Sequence, residues 1–468
     1  MNVSLAKEIS VGYVPITFPR DPTEVNLVEE HTILGQILEP LIDSDHFGNI
    51  MPGIAHKWSF EDNDKKIRFW ITTNKNFSNG EKLVPEDVLY SINRHLKSET
   101  SQSRSFLSDI ESIKIEKDQV VFYLKNANPS ILKALTRDQL GILQTGWELD
   151  KKSNRPFIGT GPYQAVKIEN QWFLEKNNFY VNQRNIFYDK IKLIFYKNND
   201  FKIPVDQLPD VMPDIPIRVM EKIKNLESIQ NNSYTIQERL SFSQTTFWLY
   251  PGSKLIDDTN FRQNVWHALD LATDSYTKKK SLARSTGMIP VGVQGHLSER
   301  INILPAASTQ KEVTTIKLAY LPGVFSDFLN DAQTLKIMND HNIQLELIEF
   351  TPQTIKSLVQ KKPDIVTGSW AGAFNDPLGF LGLLDDLLNM PFTKYIGALS
   401  SEFEEARLES DWSKRALLFK NLSKHIIEDG LMLGGWKTAS YFVAKNGIKE
   451  NDIQFRFTPR FINLYRSS

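Results

Sequence analysis

Between about Thr314 and Thr367 the chain alternates short apolar runs with longer segments of helical spacing: Ile316 to Tyr320, Phe325 to Met338, Ile343 to Phe350, Thr351 to Val359 and Asp364 to Thr367. That order is a β-α-β-α-β unit. It constrains the fold strongly, because such units build parallel sheets with right-handed crossovers and place ligands beyond the carboxyl ends of the strands. The last of these strands runs out into Trp370-Ala-Gly-Ala-Phe-Asn-Asp-Pro377, which is therefore where a binding rim is expected.

The first half of the chain reads differently. Lys66-Ile-Arg-Phe-Trp-Ile-Thr72 puts Ile67, Phe69 and Ile71 on one face of a strand, and Ile113-Lys-Ile115 with Val120-Val-Phe-Tyr-Leu124 brackets Lys117-Asp118 as a hairpin. Between them Pro85-Glu-Asp-Val-Leu-Tyr-Ser-Ile-Asn-Arg94 starts as a helix should, with proline in its first turn, two acids at the positive end of the dipole and an apolar stripe of Val88, Ile92 and Leu96. The character changes around Ser241 to Gly252, and a long helix opens at Asp257-Asp-Thr-Asn-Phe-Arg-Gln-Asn-Val-Trp-His-Ala-Leu269. The chain thus reads as two lobes joined by crossovers, and 468 residues suffice for more than one core.

Composition removes several functional classes. The 55 basic and 56 acidic residues leave a net charge of −1, so no overall field draws nucleic acid or an anionic membrane. No apolar run reaches the roughly 18 residues that span a bilayer; even Phe380-Leu-Gly-Leu-Leu384 runs into Asp385 and Asp386. Met1-Asn-Val-Ser-Leu-Ala-Lys7 lacks the charged region and apolar core of a secretory signal, but a chain beginning at its mature end would look the same. The lack of cysteine excludes disulfides, thiolate catalysis and cysteine metal sites, and is compatible with an oxidising or a reducing compartment. The 8 histidines stand singly, without a His-x-x-x-His pair, which favours packing and surface roles over metal ligation. Gly368-Ser-Trp-Ala-Gly372 lacks the glycine that a nucleophile elbow carries two places before its serine, and Gly159-Thr-Gly-Pro-Tyr163 puts proline where a dinucleotide loop would enter its helix. Neither an enzyme nor a bound cofactor or metal is expected.

The order of motifs resembles the extracytoplasmic solute-binding proteins of the oligopeptide, dipeptide and nickel class, family 5, which serve ABC importers. Ile37-Leu-Glu-Pro-Leu41, Gly48-Asn-Ile-Met-Pro-Gly-Ile-Ala-His-Lys-Trp58 and the whole of Phe77 to Arg94 are similar to that family's early blocks. Gly159-Thr-Gly-Pro-Tyr163 looks like its strand entry, Asp258 to Leu269 like the helix that opens its second lobe, with Arg262 and Gln263 matching, and Trp370 to Pro377 like its tryptophan segment. The resemblance implies an α/β, two-lobed periplasmic-binding-protein-like fold with mixed and parallel sheets and a small antiparallel α+β subdomain. The implied boundaries are 1–44, 159–243 and 434–468 for lobe one, 45–158 for the subdomain and 244–433 for lobe two. It also implies a monomeric, extracytoplasmic receptor, its signal already removed, that captures a peptide-like or other small polar solute between its lobes and hands it to a membrane permease. A ligand-sensing domain of the same fold, acting through a protein partner, is the alternative.

The same resemblance implies where the solute touches. Where peptide binders carry the acid that holds an α-amino group, this chain has Ala373, beside Phe374, and where they carry an asparagine at the crossover it has Tyr250. Asp376 reads as a helix cap in Asp-Pro, with a replacement anchor as the competing reading. Trp370 and Trp248 read either as chamber walls or as half-buried core aromatics. Arg137 lies near the part of lobe one that supplies a ligand-facing arginine in nickel-binding relatives, against a competing reading as a surface charge. The short path from His296 to Thr314, with Leu304-Pro-Ala-Ala-Ser-Thr-Gln310, replaces a helix that relatives carry.

Overall fold

The structure is a computed structural model. It describes the chain apart from residues 1–6, 14–15, 26, 46–47, 148–154, 197–207, 217–218, 221–222, 224–228, 230, 232, 240–241, 308–311, 352–353, 371, 373, 383, 452–457 and 468, and the side chains of 216, 370 and 386. The chain divides into two compact units, Met1–Leu240 with Ala439–Ser468 and Ser241–Thr438.

Unit 1 is organised by a seven-stranded mixed sheet in the order β12-β18-β11-β1-β10-β9-β8. Its strands are β1 (Glu8–Tyr13), β8 (Tyr163–Ile168), β9 (Gln171–Lys176), β10 (Lys190–Phe195), β11 (Val211–Pro216), β12 (Tyr234–Arg239) and β18 (Ser440–Lys445). β1 runs parallel to β10 and β11, whereas β18, from the C-terminal segment, is antiparallel to both β11 and β12. Ile9, Val11, Leu34, Ile37, Ile191 and Leu193 are among the residues buried beneath it.

The Gly159-Thr-Gly161 motif is explained here by packing. A Cβ at Gly159 would lie 2.2 Å from the Ile37 carbonyl oxygen and one at Gly161 2.6 Å from it, while the Gly161 N–H donates to that oxygen at 2.9 Å. Only glycine permits two backbones to approach so closely.

Unit 1 also holds a short antiparallel pair, β2 (Ile42–Ser44) and β3 (Ile50–Pro52), and a four-stranded antiparallel sheet, β4 (Ala55–Glu61), β5 (Lys66–Ile71), β7 (Gln119–Leu124) and β6 (Ile110–Glu116), in that spatial order and with its own buried cluster. Lys117 and Asp118 both have positive φ, 50° and 62°, the two-residue turn whose twist suits a hairpin. The Pro85–Lys97 helix covers this cluster with Val88 and Ile92, and Asp87 accepts from the Val84 N–H at 2.9 Å and from Thr145 at 2.8 Å.

Unit 2 is built on a five-stranded sheet in the order β15-β14-β16-β13-β17. The strands are β13 (Gln244–Leu249), β14 (Thr314–Tyr320), β15 (Ile343–Glu349), β16 (Ile365–Trp370) and β17 (Met432–Lys437). β14 is parallel to β15 and β16, as the β-α-β-α-β pattern requires, and β13 is antiparallel to β16 and β17. The Thr259–Lys280 helix starts where Asp258 accepts from the Phe261 N–H at 2.8 Å. Phe247 meets Phe325 and Tyr276 meets Phe328 edge to face, and Trp436 packs at a tilt against Phe325 and Phe328 at the same centre.

Two expected helices differ. Phe325 to Met338 is split into Ser326–Leu329 and Ala332–Asp340, because Asp331 accepts from the Gln333 and Thr334 N–H groups, both at 3.1 Å, and nucleates a new first turn. Beyond Thr351 the helical material is Ile355–Ser357 and Leu358–Lys361, ended by Lys362 at φ +44°. The exit from unit 2 also lies later than the expected 433: β17 is hydrogen-bonded to β13 and belongs wholly to unit 2.

Candidate functional site

In unit 2 the segment singled out from the sequence follows the carboxyl end of β16. Trp370 pairs with Gln244, the first residue of β13, and Gln244 pairs with Lys437, the last of β17. This end of the sheet is therefore where the chain enters and leaves unit 2. Every residue of β13 is buried, so its polar members must find partners inside. Gln244 does so fully: its oxygen accepts from Ser285 Oγ at 2.7 Å, and its Nε2 donates to the Gly287 and Met288 carbonyls at 2.9 and 2.8 Å. Thr245 Oγ1 accepts from the Trp436 N–H at 2.7 Å. This end of the sheet thus stands on a fixed polar base that no local sequence pattern announces, since its partners lie about forty residues apart.

The aromatic residues grouped with Trp370 do not gather around it. β13 runs antiparallel to β16, and the Tyr250 N–H donates to the Asp364 carbonyl at 2.9 Å, six residues before Trp370. At about 3.3 Å per residue, Tyr250 and Trp370 lie roughly 20 Å apart along the strand. Trp248 is 1% exposed. Its Nε1 donates to Thr246 Oγ1 at 2.9 Å and its ring meets Phe392 and Tyr395 edge on, which is the core reading of the two open in the sequence. Tyr250 is buried as well, and burial raises its hydroxyl pKa. Of Trp370 the backbone alone is described, and Ala373 lies outside the described residues.

Asp376 is 1% exposed and Arg415 0%. Arg415 donates through Nη1 to Oδ2 at 2.7 Å and through Nη2 to Oδ1 at 3.1 Å, while the Leu378 N–H at the start of the Leu378–Leu381 helix gives Oδ1 a third bond at 3.0 Å. The carboxylate therefore both starts that helix and neutralises a buried guanidinium, itself stacked on Phe419 at 4.9 Å. Phe374 is buried beside it, and the Asp376 N–H donates to the Phe374 carbonyl. The missing partner was 39 residues away, beyond any local motif.

In unit 1 Arg137 is 5% exposed, which corrects its reading as a surface charge. It follows the Ile131–Ala134 helix, stacks on Phe106 at 4.9 Å and donates through Nη2 to Gln139 at 3.2 Å. Among the described residues its Nε and Nη1 meet no hydrogen-bond acceptor. Burial pushes its pKa down to about 9, with Asp138 acting the other way. Asp138 is itself paired with Arg460 at 2.6 Å. His31 and His95 are held neutral first by burial and then by neighbouring cations, Arg137 included. A buried cation whose donors lack acceptors among the described residues can take an anionic partner. Among the described residues no group of three or more acids and histidines could hold a metal.

Comparisons with known proteins agree with this architecture. The family model described as bacterial extracellular solute-binding proteins, family 5 Middle, matches residues 49–294, just over half of the chain. A Haemophilus influenzae chain described as a binding protein is 23% identical over 430 residues, covering 83% of this chain and 77% of its own. The periplasmic murein peptide-binding protein MppA of Escherichia coli is 20% identical over 431 residues, 78% of this chain and 75% of its own. Among solved structures, the periplasmic binding protein DppA from Helicobacter pylori, in complex with the peptide STSA, shares the fold over 99% of both chains, with a TM-score of 0.80 at 16% identity. With the matched segment and the fold in agreement, the chain belongs to the bacterial extracellular solute-binding proteins of family 5.

Proposed function

We propose that this protein is the solute-binding receptor of an ABC-type importer: it captures a small polar or peptide-like solute outside the cytoplasm, leaves it chemically unchanged and delivers it to a membrane permease. The family match over residues 49–294 carries this reading, and relatives named for peptides, such as MppA, support a peptide-like solute. In unit 1 the anchor is Arg137, whose Nε and Nη1 have no other acceptor among the described residues and which binds a carboxylate or similar anion of the solute. In unit 2 the rim lies at the carboxyl end of β16, at Trp370 and Phe374.

Native mass spectrometry of freshly purified protein should find a retained solute with an anionic group, and cells lacking the protein should lose uptake of that solute. A charge-assisted hydrogen bond contributes about 1.5–3 kcal/mol, so Arg137→Gln should weaken binding roughly 10- to 150-fold by calorimetry. Equal affinity of both proteins removes Arg137 from the site. A product formed from the solute on incubation removes the receptor reading.

A further inference from the structure

β1 and β11 run parallel, with Val11 opposite Val211, so Tyr13 and Asp214 come to the same carboxyl end of neighbouring strands. There the pairing of β11 with β18 slips: Met212 faces Val443 and Ile215 faces Tyr441, three steps against two. The slip is a bulge, which redirects a side chain out of the regular alternation, and Pro213 brings no N–H that the ladder would miss. Arg239 fixes it from behind. Its Nη1 donates to the Pro213 carbonyl at 3.1 Å and to Glu450 at 2.8 Å, with the two side chains 5% and 2% exposed.

Asp214, on the bulge, is partly exposed and accepts from the Ser440 side chain. Tyr13 is 2% exposed, and its hydroxyl has no hydrogen-bond partner among the described residues. Burial first, then the charges of Glu29, Asp214 and Glu450, raise its pKa, with Arg239 opposing. The hydroxyl therefore sits among three carboxylates and one guanidinium.

We propose that this strand end receives the positively charged group of the solute, an ammonium or guanidinium, between the Asp214 carboxylate and the Tyr13 hydroxyl, with Glu29 adding to the field from the first turn of the Val28–Ile37 helix. The inference rests on the receptor reading and narrows its solute to one with a basic nitrogen. The occupant is an organic cation and not a metal ion, because the described acids and histidines form no metal-holding group. Arg239 is already spent on Glu450 at 2.8 Å and on the Pro213 carbonyl, so an arriving cation would give the Asp214 carboxylate, whose charged form burial disfavours, a partner of its own. Position 373, an alanine, has no carboxylate to offer such a group.

Agmatine and putrescine, cations without an anionic group, test this on the full chain by calorimetry and thermal shift, with sodium acetate as control. Both amines should stabilise the protein saturably. Asp214→Asn should weaken them at least about tenfold and Tyr13→Phe severalfold. Amines that do not bind the wild type, or that bind Asp214→Asn equally well, overturn the proposal. If Asp214→Asn does not fold, Tyr13→Phe decides alone, and unchanged affinity overturns it. A solute retained through purification without a basic nitrogen also overturns it and leaves the receptor reading standing, whereas amine binding with no loss of uptake in cells lacking the protein overturns the receptor reading.

Discussion

Asp376 has the sequence context of a ligand anchor and the surroundings of a core residue. With both members of the Asp376–Arg415 pair almost fully buried, neither charge can be left alone cheaply. Removing one partner of such a pair costs about 3–5 kcal/mol, whereas replacing both with apolar side chains is often close to neutral. Asp376→Asn and Arg415→Met should each lower the stability of unit 2 by that amount in urea titrations, and Asp376→Leu combined with Arg415→Met should cost less than either alone. A double loss equal to the sum of the two single losses would mean that the pair is not coupled. The same pair marks where sequence reading stops. Asp376 before Pro377 announces a helix start, but nothing near it announces a guanidinium 39 residues on. Arg137 is the converse: its place in the chain was legible and its burial was not, because burial depends on Phe106 and Gln139 closing around it.

The Pro85–Lys97 helix was legible almost residue for residue, from the proline, the first-turn acids and the stripe of Val88 and Ile92. Its buried face also carries His95, 2% exposed, with Nδ1 2.7 Å from Ser101 Oγ. Burial, followed by Arg94 and Arg137, lowers its pKa to about 3, against about 6.5 in the unfolded chain. As pH falls below about 6.5 the unfolded chain takes up this proton and the folded one does not. Stability is thus full above that value and declines toward pH 3, by up to about 1.4 kcal/mol per pH unit from this group. Urea midpoints measured between pH 7 and pH 4 should fall less steeply for His95→Gln than for the wild type; parallel curves would place the histidine in contact with water. Where single elements were misread, local chemistry decided. The Asp331 cap divides a helix that periodicity joins, and the antiparallel run of β13 sends Tyr250 to the far end from Trp370. Hydrophobic spacing carries neither strand direction nor partner.

At the scale of the whole molecule, unit 2 is one continuous stretch and unit 1 is assembled from two. The C-terminal segment is not an appendage, because β18 lies between β12 and β11 and hydrogen-bonds to both. A chain ending at residue 438 should keep the unit 2 core, centred on Phe247 and Trp436, and lose the seven-stranded sheet. Calorimetry should then show one cooperative transition from unit 2, and hydrogen exchange should show β1 and β11 unprotected; protection of those strands would contradict this account of the sheet.

The placement of β18 also sets a timetable for synthesis. At about 5–20 residues per second, roughly 10–40 s separate the appearance of β12 from that of β18. During that interval β11 and β12 wait without the strand that joins them, and unit 2 is itself still being made, since its own β17 emerges just ahead of β18. A nascent chain therefore holds two open sheets until β17 and β18 emerge one after the other, so that both bodies close at nearly the same moment near the end of synthesis.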